Sequence, residues 1–171
     1  MIIKLVGMAT VFLSSSALGF CLGECLCARE RELGNLADAV EMMSGEVTYT
    51  ALPLRDVVLA VTPRLKGACS EMFSYISEEL KEDVPLSTAW ENAIGKAAPS
   101  MYFKKTDALF LTKNSYLLTA YELEEQKNRL LELKEKILFL KEDALRVKNK
   151  NTGLFRMLGV YGGALLCVII F

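Results

Sequence analysis

The sequence predicts an all-α protein, a soluble helical bundle of about six helices flanked by two transmembrane helices. Three observations carry that class. Uncharged apolar runs stand at Leu5 to Gly23 and at Met157 to Phe171, with nearly every charge between them. Within the charged segment, apolar residues recur at steps of three and four, the repeat of one helix face. No period-two alternation of useful length occurs. The expected division is a transmembrane helix over residues 1–27, a soluble bundle over 28–153 and a second transmembrane helix over 154–171.

Leu5 to Gly23 holds 19 residues without a charge, close to the roughly 20 that a helix needs to cross a hydrocarbon core of about 30 Å. A cleaved signal peptide is the competing reading, because Lys4 supplies a small charged n-region. The stretch around Gly23, Glu24 and Cys25 has no A-x-A cleavage site and runs straight into a helical pattern, so a retained anchor is expected. The second run is shorter, but Leu154 and Phe155 extend it and Arg156 can snorkel its guanidinium to the headgroups. Gly159 and Gly163 have GxxxG spacing, which permits close helix contact. Arg29, Arg31, Arg146, Lys148, Lys150 and Arg156 border the enclosed segment, whereas the outer ends carry only Lys4 and the amino terminus. The positive-inside bias therefore places residues 28–153 in the cytoplasm.

In chain order, Leu33, Leu36, Val40 and Met43 continue the first span into an amphipathic helix that Gly45 interrupts. Pro53 and Leu54 start a short helix with Leu54, Val57, Val58 and Val61 inward, and Thr62-Pro63 closes it. Lys66 to Lys81 follows, with Met72, Phe73, Ile76 and Leu80 as its stripe. After Pro85, Ser87 to Glu91 reads as a capping box, with Trp90 and Ile94 inward. A further helix spans Thr106 to Ala120 with Leu109, Phe110, Lys113 and Leu117. The longest runs from Glu122 to Asn149 and carries two seams: Leu130, Leu133, Ile137, Leu140, Ala144 and Val147, then Leu131, Leu138 and Leu145. Together they cover roughly 200° of the circumference, too wide for a simple two-stranded coiled coil and suited to a helix touching two neighbours.

Composition narrows the chemistry. With 20 basic and 21 acidic residues interspersed, no electrostatic footprint for nucleic acid exists. Histidine is absent, which removes serine–histidine and cysteine–histidine catalysis and the commonest transition-metal ligand. Cys21, Cys25 and Cys27 cluster at the end of the first span, Cys69 is alone, Cys167 lies in the second run, and no C-x-x-C pair occurs. Three thiols without histidine suit a membrane edge better than a metal site. The carboxylates Glu78, Glu79, Glu82, Asp83, Glu122, Glu124 and Glu125 lack the Glu-x-x-His pairs of di-iron bundles and read as solvated helix faces. Phosphate-binding glycine patterns are missing. The expectation is no catalytic residue, no metal and no cofactor. One feature remains: Lys127, Lys134, Lys141 and Lys148 recur every seven residues between the two seams. Such stems can cover apolar surface while their heads reach water, or the row can dock an acidic partner or inner-leaflet lipid.

Lys4 to Gly7 with Gly19, Met43 to Leu54 (MSGEVTYTALPL), Ser87 to Trp90 (STAW) and Leu158 to Gly163 (LGVYGG), in that order and spacing, resemble the stage III sporulation protein AB family of endospore-forming bacteria along the whole chain. One stretch departs from the family pattern: Lys113 to Tyr121 stands where the family has a glycine-containing L-G-x-x-L-G-x-x-D, although Glu125-Gln126 matches. The resemblance implies a bundle similar to the cytoplasmic domains of type II secretion platform proteins. It also implies a non-enzymatic assembly role in a secretion-like channel complex of the mother-cell membrane facing the forespore. The implied partners are other products of the stage III sporulation operon, including an assembly ATPase and ring-forming membrane proteins, besides membrane lipid. Docking is expected at Glu46, Lys127, Lys134 and Lys141. Two other readings stay open: a regulatory sensor whose long helix conveys a signal, and a membrane-bound enzyme using the carboxylates or the Cys21, Cys25 and Cys27 thiols.

Overall fold

The computed structural model describes residues 2–119 and 122–170. Ala120 and Tyr121, at the end of the predicted 106–120 helix and of the divergent stretch, lie outside the described residues, as do Phe171 and the Lys4 side chain. Six α-helices follow one another: α1 Ile2–Thr50, α2 Leu54–Val61, α3 Gly67–Lys81, α4 Leu86–Ala97, α5 Lys105–Lys113 and α6 Leu123–Ile170. Short 3-10 turns cover Thr62–Arg64 and Ser115–Leu118, and no strand occurs among the described residues. The chain is therefore all-α, and both apolar runs lie inside long helices instead of forming separate elements.

α1 does not break at Gly45. A glycine in a helix interior costs only about 1 kcal/mol relative to alanine, and Met43 and Val47 on either side are fully buried. The helix stops at Ala51, whose φ of 51° is left-handed, just ahead of Pro53, which sits at the start of α2 with φ of −57°. α4 begins one residue before Ser87, on Pro85, without a side-chain cap; the predicted capping box is not made. α5 is shorter than expected. Asn114 Nδ2 donates to the Phe110 carbonyl at 2.7 Å, and the chain tightens into the Ser115–Leu118 turn. α6 runs through Asn149 without a break, because the residues beyond it form a continuous helical sequence free of proline.

The chain divides into two compact units, one of Met1–Glu30 with Asp143–Phe171 and one of Arg31–Glu142. In the second unit the core is built as the periodicity requires. Leu33, Leu36, Val40 and Met43 of α1, Val57 and Val61 of α2, and Met72, Phe73 and Ile76 of α3 are all fully buried. Trp90 and Ile94 of α4 join them, and Phe73 meets Trp90 edge-on, centroids 6.2 Å apart with rings at 86°. On α5 the buried positions are Asp107 and Leu111, while Leu109 is 60% exposed. Apolar periodicity missed this face because one of its inward positions is an aspartate, whose Oδ2 accepts from the Lys104 backbone N–H at 2.9 Å and so closes the helix start. On α6 the first seam is buried at Leu130, Leu133, Ile137 and Leu140, but Leu131 and Leu138 of the second stay about two-fifths exposed. The expected second neighbour along that seam is not supplied by the described residues.

In the first unit the two helix segments meet backbone to backbone. A Cβ built on Gly19 would lie 2.6 Å from the Phe155 carbonyl oxygen and 2.8 Å from Gly159 Cα, and one on Gly163 would lie 3.1 Å from Ser15 Cβ. Ser15 Oγ donates to the Gly159 carbonyl at 2.9 Å. The GxxxG pair thus packs against a Ser15-x3-Gly19 pair on α1, small residues permitting close approach where side chains would hold the helices apart. Arg156 to Glu24, Lys148 to Glu30 and Arg29 to Asp143, each at 3.2 Å, tie the charged end of this unit. Outward-facing residues are strongly apolar, including Leu13, Leu18, Leu158 and Val168. Both helices are long and apolar enough to cross a membrane, and the qualifying windows are only 17% and 11% buried, unlike the buried core helix of a soluble protein.

Candidate docking faces

The lysine row sits against α1. Lys134 Nζ pairs with Glu41 at 2.7 Å, and only 22% of the Lys134 side chain is exposed. Seven residues on, the Lys141 stem crosses Gly34, where a Cβ would come within 3.1 Å of Nζ and 3.3 Å of Cε. Seven residues back, Lys127 lines a hollow of about 160 Å³ with Val47, Thr48, Ala51, Leu123 and Glu124. Steps of seven up α6 are thus matched by steps of seven down α1, at residues 34, 41 and 48. The antiparallel register explains why ammonium groups tolerate an apolar stripe: their stems cover α1 and their heads emerge at its edge, Lys134 beside Glu41 and Lys148 beside Glu30.

Glu46 is not part of that face. Five residues beyond Glu41, it lies about 140° around α1 and accepts a hydrogen bond from Arg64 of the 3-10 turn after α2. Arg64 also lines a hollow of about 190 Å³ with Asn35, Asp38, Met42, Leu65, Lys66 and Cys69. Sequence reasoning found Glu46 but not Arg64, since nothing local to either residue signals a pairing 18 positions apart. The lysine row of α6 and Arg64 therefore engage two different faces of α1, and Glu46 lies on the second.

Of the predicted carboxylate clusters, Glu78, Glu82, Glu122 and Glu124 are exposed, while Glu79, Asp83 and Glu125 make structural ties. Glu79 accepts from Asn92 Nδ2 at 2.9 Å and from Lys96 at 3.1 Å; the Asn92 bond, helped by Lys96, holds its carboxyl below the ordinary value against a partial burial that would raise it. Asp83, in a left-handed turn with φ of 61°, takes Arg55 at 2.7 Å. Glu125 takes Arg129 one helical turn on. Among the described residues no group of three or more Cys, Asp or Glu side chains could hold a metal.

Cys69 is buried in the core of α3, its Sγ 3.8 Å from the Asn35 carbonyl oxygen. Burial, with smaller contributions from Glu32 and Asp38, pushes its thiol up to about 12. The thiolate is the nucleophile, so in the folded chain at pH 8 Cys69 will resist iodoacetamide on a timescale that labels an introduced Leu109→Cys, 60% exposed on α5, to completion, and will react once urea unfolds the bundle. Peptide mapping of the alkylated sites checks this; equal labelling of both cysteines in the native chain would contradict the burial. The sign for stability follows. The folded-state value lies above the unfolded one, so this contribution is intact below about pH 9 and is lost as pH rises toward 12.

The fold and its faces define a class: a helical bundle carrying two helices long and apolar enough to span a membrane, with clustered charges used for structural ties. Within that class, the family model described as stage III sporulation protein AB matches residues 4–171. The chain belongs to that family. It is 25% identical over 170 residues to the stage III sporulation protein AB of Bacillus subtilis (strain 168), covering 98% of this chain and 99% of that one. A solved structure of stage III sporulation protein AB superposes with a TM-score of 0.63 at 21% identity, covering 72% of this chain and 98% of that chain, which shows the shared fold.

Proposed function

We propose that this chain is a non-enzymatic, membrane-anchored assembly component of a secretion-like channel complex in the mother-cell membrane, needed for forespore development. The observation that carries the reading is the family match across residues 4–171, which takes in both apolar helices and the bundle between them. Two spans hold the bundle at the membrane, with residues 28–153 on the cytoplasmic side by the positive-inside bias. The partners are other products of the stage III sporulation operon, an assembly ATPase and ring-forming membrane proteins among them, with membrane lipid around the spans. Absence of histidine, and the structural ties made by Glu79, Asp83 and Glu125, favour a scaffold over an enzyme.

The test is crosslinking capture of the tagged full chain from sporulating cells, followed by mass spectrometry. Recovery of an assembly ATPase or ring component above an untagged control is the expected result, and recovery of neither at equal bait abundance sinks the assembly reading. A Lys127→Glu, Lys134→Glu, Lys141→Glu variant locates the face: capture lost at unchanged thermal stability assigns docking to the lysine row, and capture retained removes it.

A further inference from the structure

On α6 the sequence repeats in register: Leu131, Lys134 and Glu135, then seven residues later Leu138, Lys141 and Glu142. Leu131 is 41% exposed and Leu138 36%, and neighbouring Phe139 is 61% exposed. Leu131 and Leu138 share one line of the helix and stay about two-fifths exposed, whereas Phe139 projects about 100° round toward the glutamate side. With 3.5 residues per turn, the leucines superpose along one line, each lysine stands about 50° to one side and each glutamate about 50° to the other. The face is a strip with an apolar centre, a cationic edge and an anionic edge.

Such a strip is complementary to itself in one orientation. Two copies facing each other with α6 parallel, related by a twofold along the helices, bring the lysine edge of one against the glutamate edge of the other, Lys134 beside the other copy's Glu135 and Lys141 beside its Glu142. With α6 antiparallel the same edges meet, lysine against lysine and glutamate against glutamate, which is repulsive. Two copies inserted in one membrane with the same topology share the direction of α6, so anchoring selects the favourable arrangement. Lys134 keeps its contact with Glu41, because an ammonium has three donors and a carboxylate several acceptor positions. We propose that the Leu131–Glu142 face of α6 is the self-association surface of this protein, pairing two copies in parallel. This goes beyond the assembly role and needs no partner from it.

The experiment uses the full chain, its five cysteines replaced by alanine, reconstituted in phospholipid vesicles and oxidised with copper phenanthroline. Leu131→Cys and Leu138→Cys are expected to form a disulfide-linked species of twice 19.0 kDa; Leu109→Cys, 60% exposed on α5, is not. Adding Glu135→Lys and Glu142→Lys to Leu138→Cys should cut the linked fraction about tenfold, and further adding Lys134→Glu and Lys141→Glu, with Glu41→Lys to keep the contact to α1, should restore it, because the swap exchanges the edges without losing their complementarity. Two results overturn the proposal: linkage at Leu138→Cys no greater than at Leu109→Cys when both react equally with maleimide, or linkage that ignores the charge reversals. If the alanine background loses its helical circular dichroism, a photocrosslinking amino acid at position 138 of the otherwise unaltered chain replaces the disulfide, with the same charge variants. A photoproduct of any mass other than the doubled one counts against a second copy as occupant.

Discussion

Phe73→Ala will cost about 3–5 kcal/mol of bundle stability, the range for emptying a fully buried aromatic site. Against a typical total of about 5–15 kcal/mol, that is enough to populate the unfolded bundle at growth temperature. Phe73 is completely buried and presents its edge to Trp90 at 6.2 Å, so alanine removes core volume between α3 and α4 and also the aromatic contact, itself worth about 0.5–1.5 kcal/mol beyond area burial. Trp90 is the single tryptophan of the chain, and its fluorescence reports directly on the site. Urea titration of the full chain in detergent, followed at the Trp90 emission maximum, should show the midpoint falling steeply for Phe73→Ala. Tyr75→Ala is the contrast. Tyr75 lies on the same helix but is 37% exposed and offers only a cation–π contact to Lys96 at 5.5 Å, so its midpoint should move by less than about 1 kcal/mol. Equal shifts would mean that the α3–α4 contact is not the centre of the core.

The helices that sequence reasoning located well are those whose inward positions are all apolar. α2 has this property, as does α3 apart from Ser77, and their apolar stripes reappear as buried residues without exception. Errors occur where a polar residue or a distant contact decides. Asp107 hides the inward face of α5 because an aspartate scores as solvent-facing, although here it is spent on the helix start. Gly45 looked like a break because local propensity is a weak preference that neighbouring burial overrides. Of the candidate docking residues, the spacing of Lys127, Lys134 and Lys141 was visible as a row, but their seating on α1 was not, since Glu41 and Gly34 lie about a hundred positions away in sequence. The second leucine seam of α6 was legible as a seam needing a partner. What the chain itself could not reveal was that Leu131 and Leu138 stay about two-fifths exposed among the described residues.

Gly19→Leu will break the packing of the two apolar helix segments. The Gly159-x3-Gly163 spacing was visible in the sequence, whereas its counterpart, Ser15 and Gly19 on α1, follows only from the structure. A β-carbon at position 19 would stand 2.6 Å from the Phe155 carbonyl oxygen and 2.8 Å from Gly159 Cα, and both obstacles are backbone, so no rotamer change relieves the clash. The segments must move apart by about an ångström, which also strains the bond from Ser15 Oγ to the Gly159 carbonyl. Overpacking costs typically about 1–3 kcal/mol, and a backbone obstacle on the facing helix puts this site at the upper end. In the proposed membrane setting no hydrophobic gain offsets the loss, since the helices exchange contacts with each other for contacts with acyl chains. The measurement is disulfide formation between Ser15→Cys and Gly163→Cys in the otherwise cysteine-free full chain; a Cβ built on Gly163 lies 3.1 Å from Ser15 Cβ, so a shift of about half an ångström reaches the roughly 3.5–4.5 Å a disulfide spans. That bond should form readily in the parent and be abolished by Gly19→Leu. Gly162→Leu supplies the control, because nothing lies within 4 Å of a Cβ there, and its disulfide should form as in the parent. Formation at the parental rate in Gly19→Leu would mean that the two helices do not approach through Gly19 and Gly159. Loss in Gly162→Leu as well would mean that bulk anywhere on the helix, not this contact, is what the pair cannot tolerate.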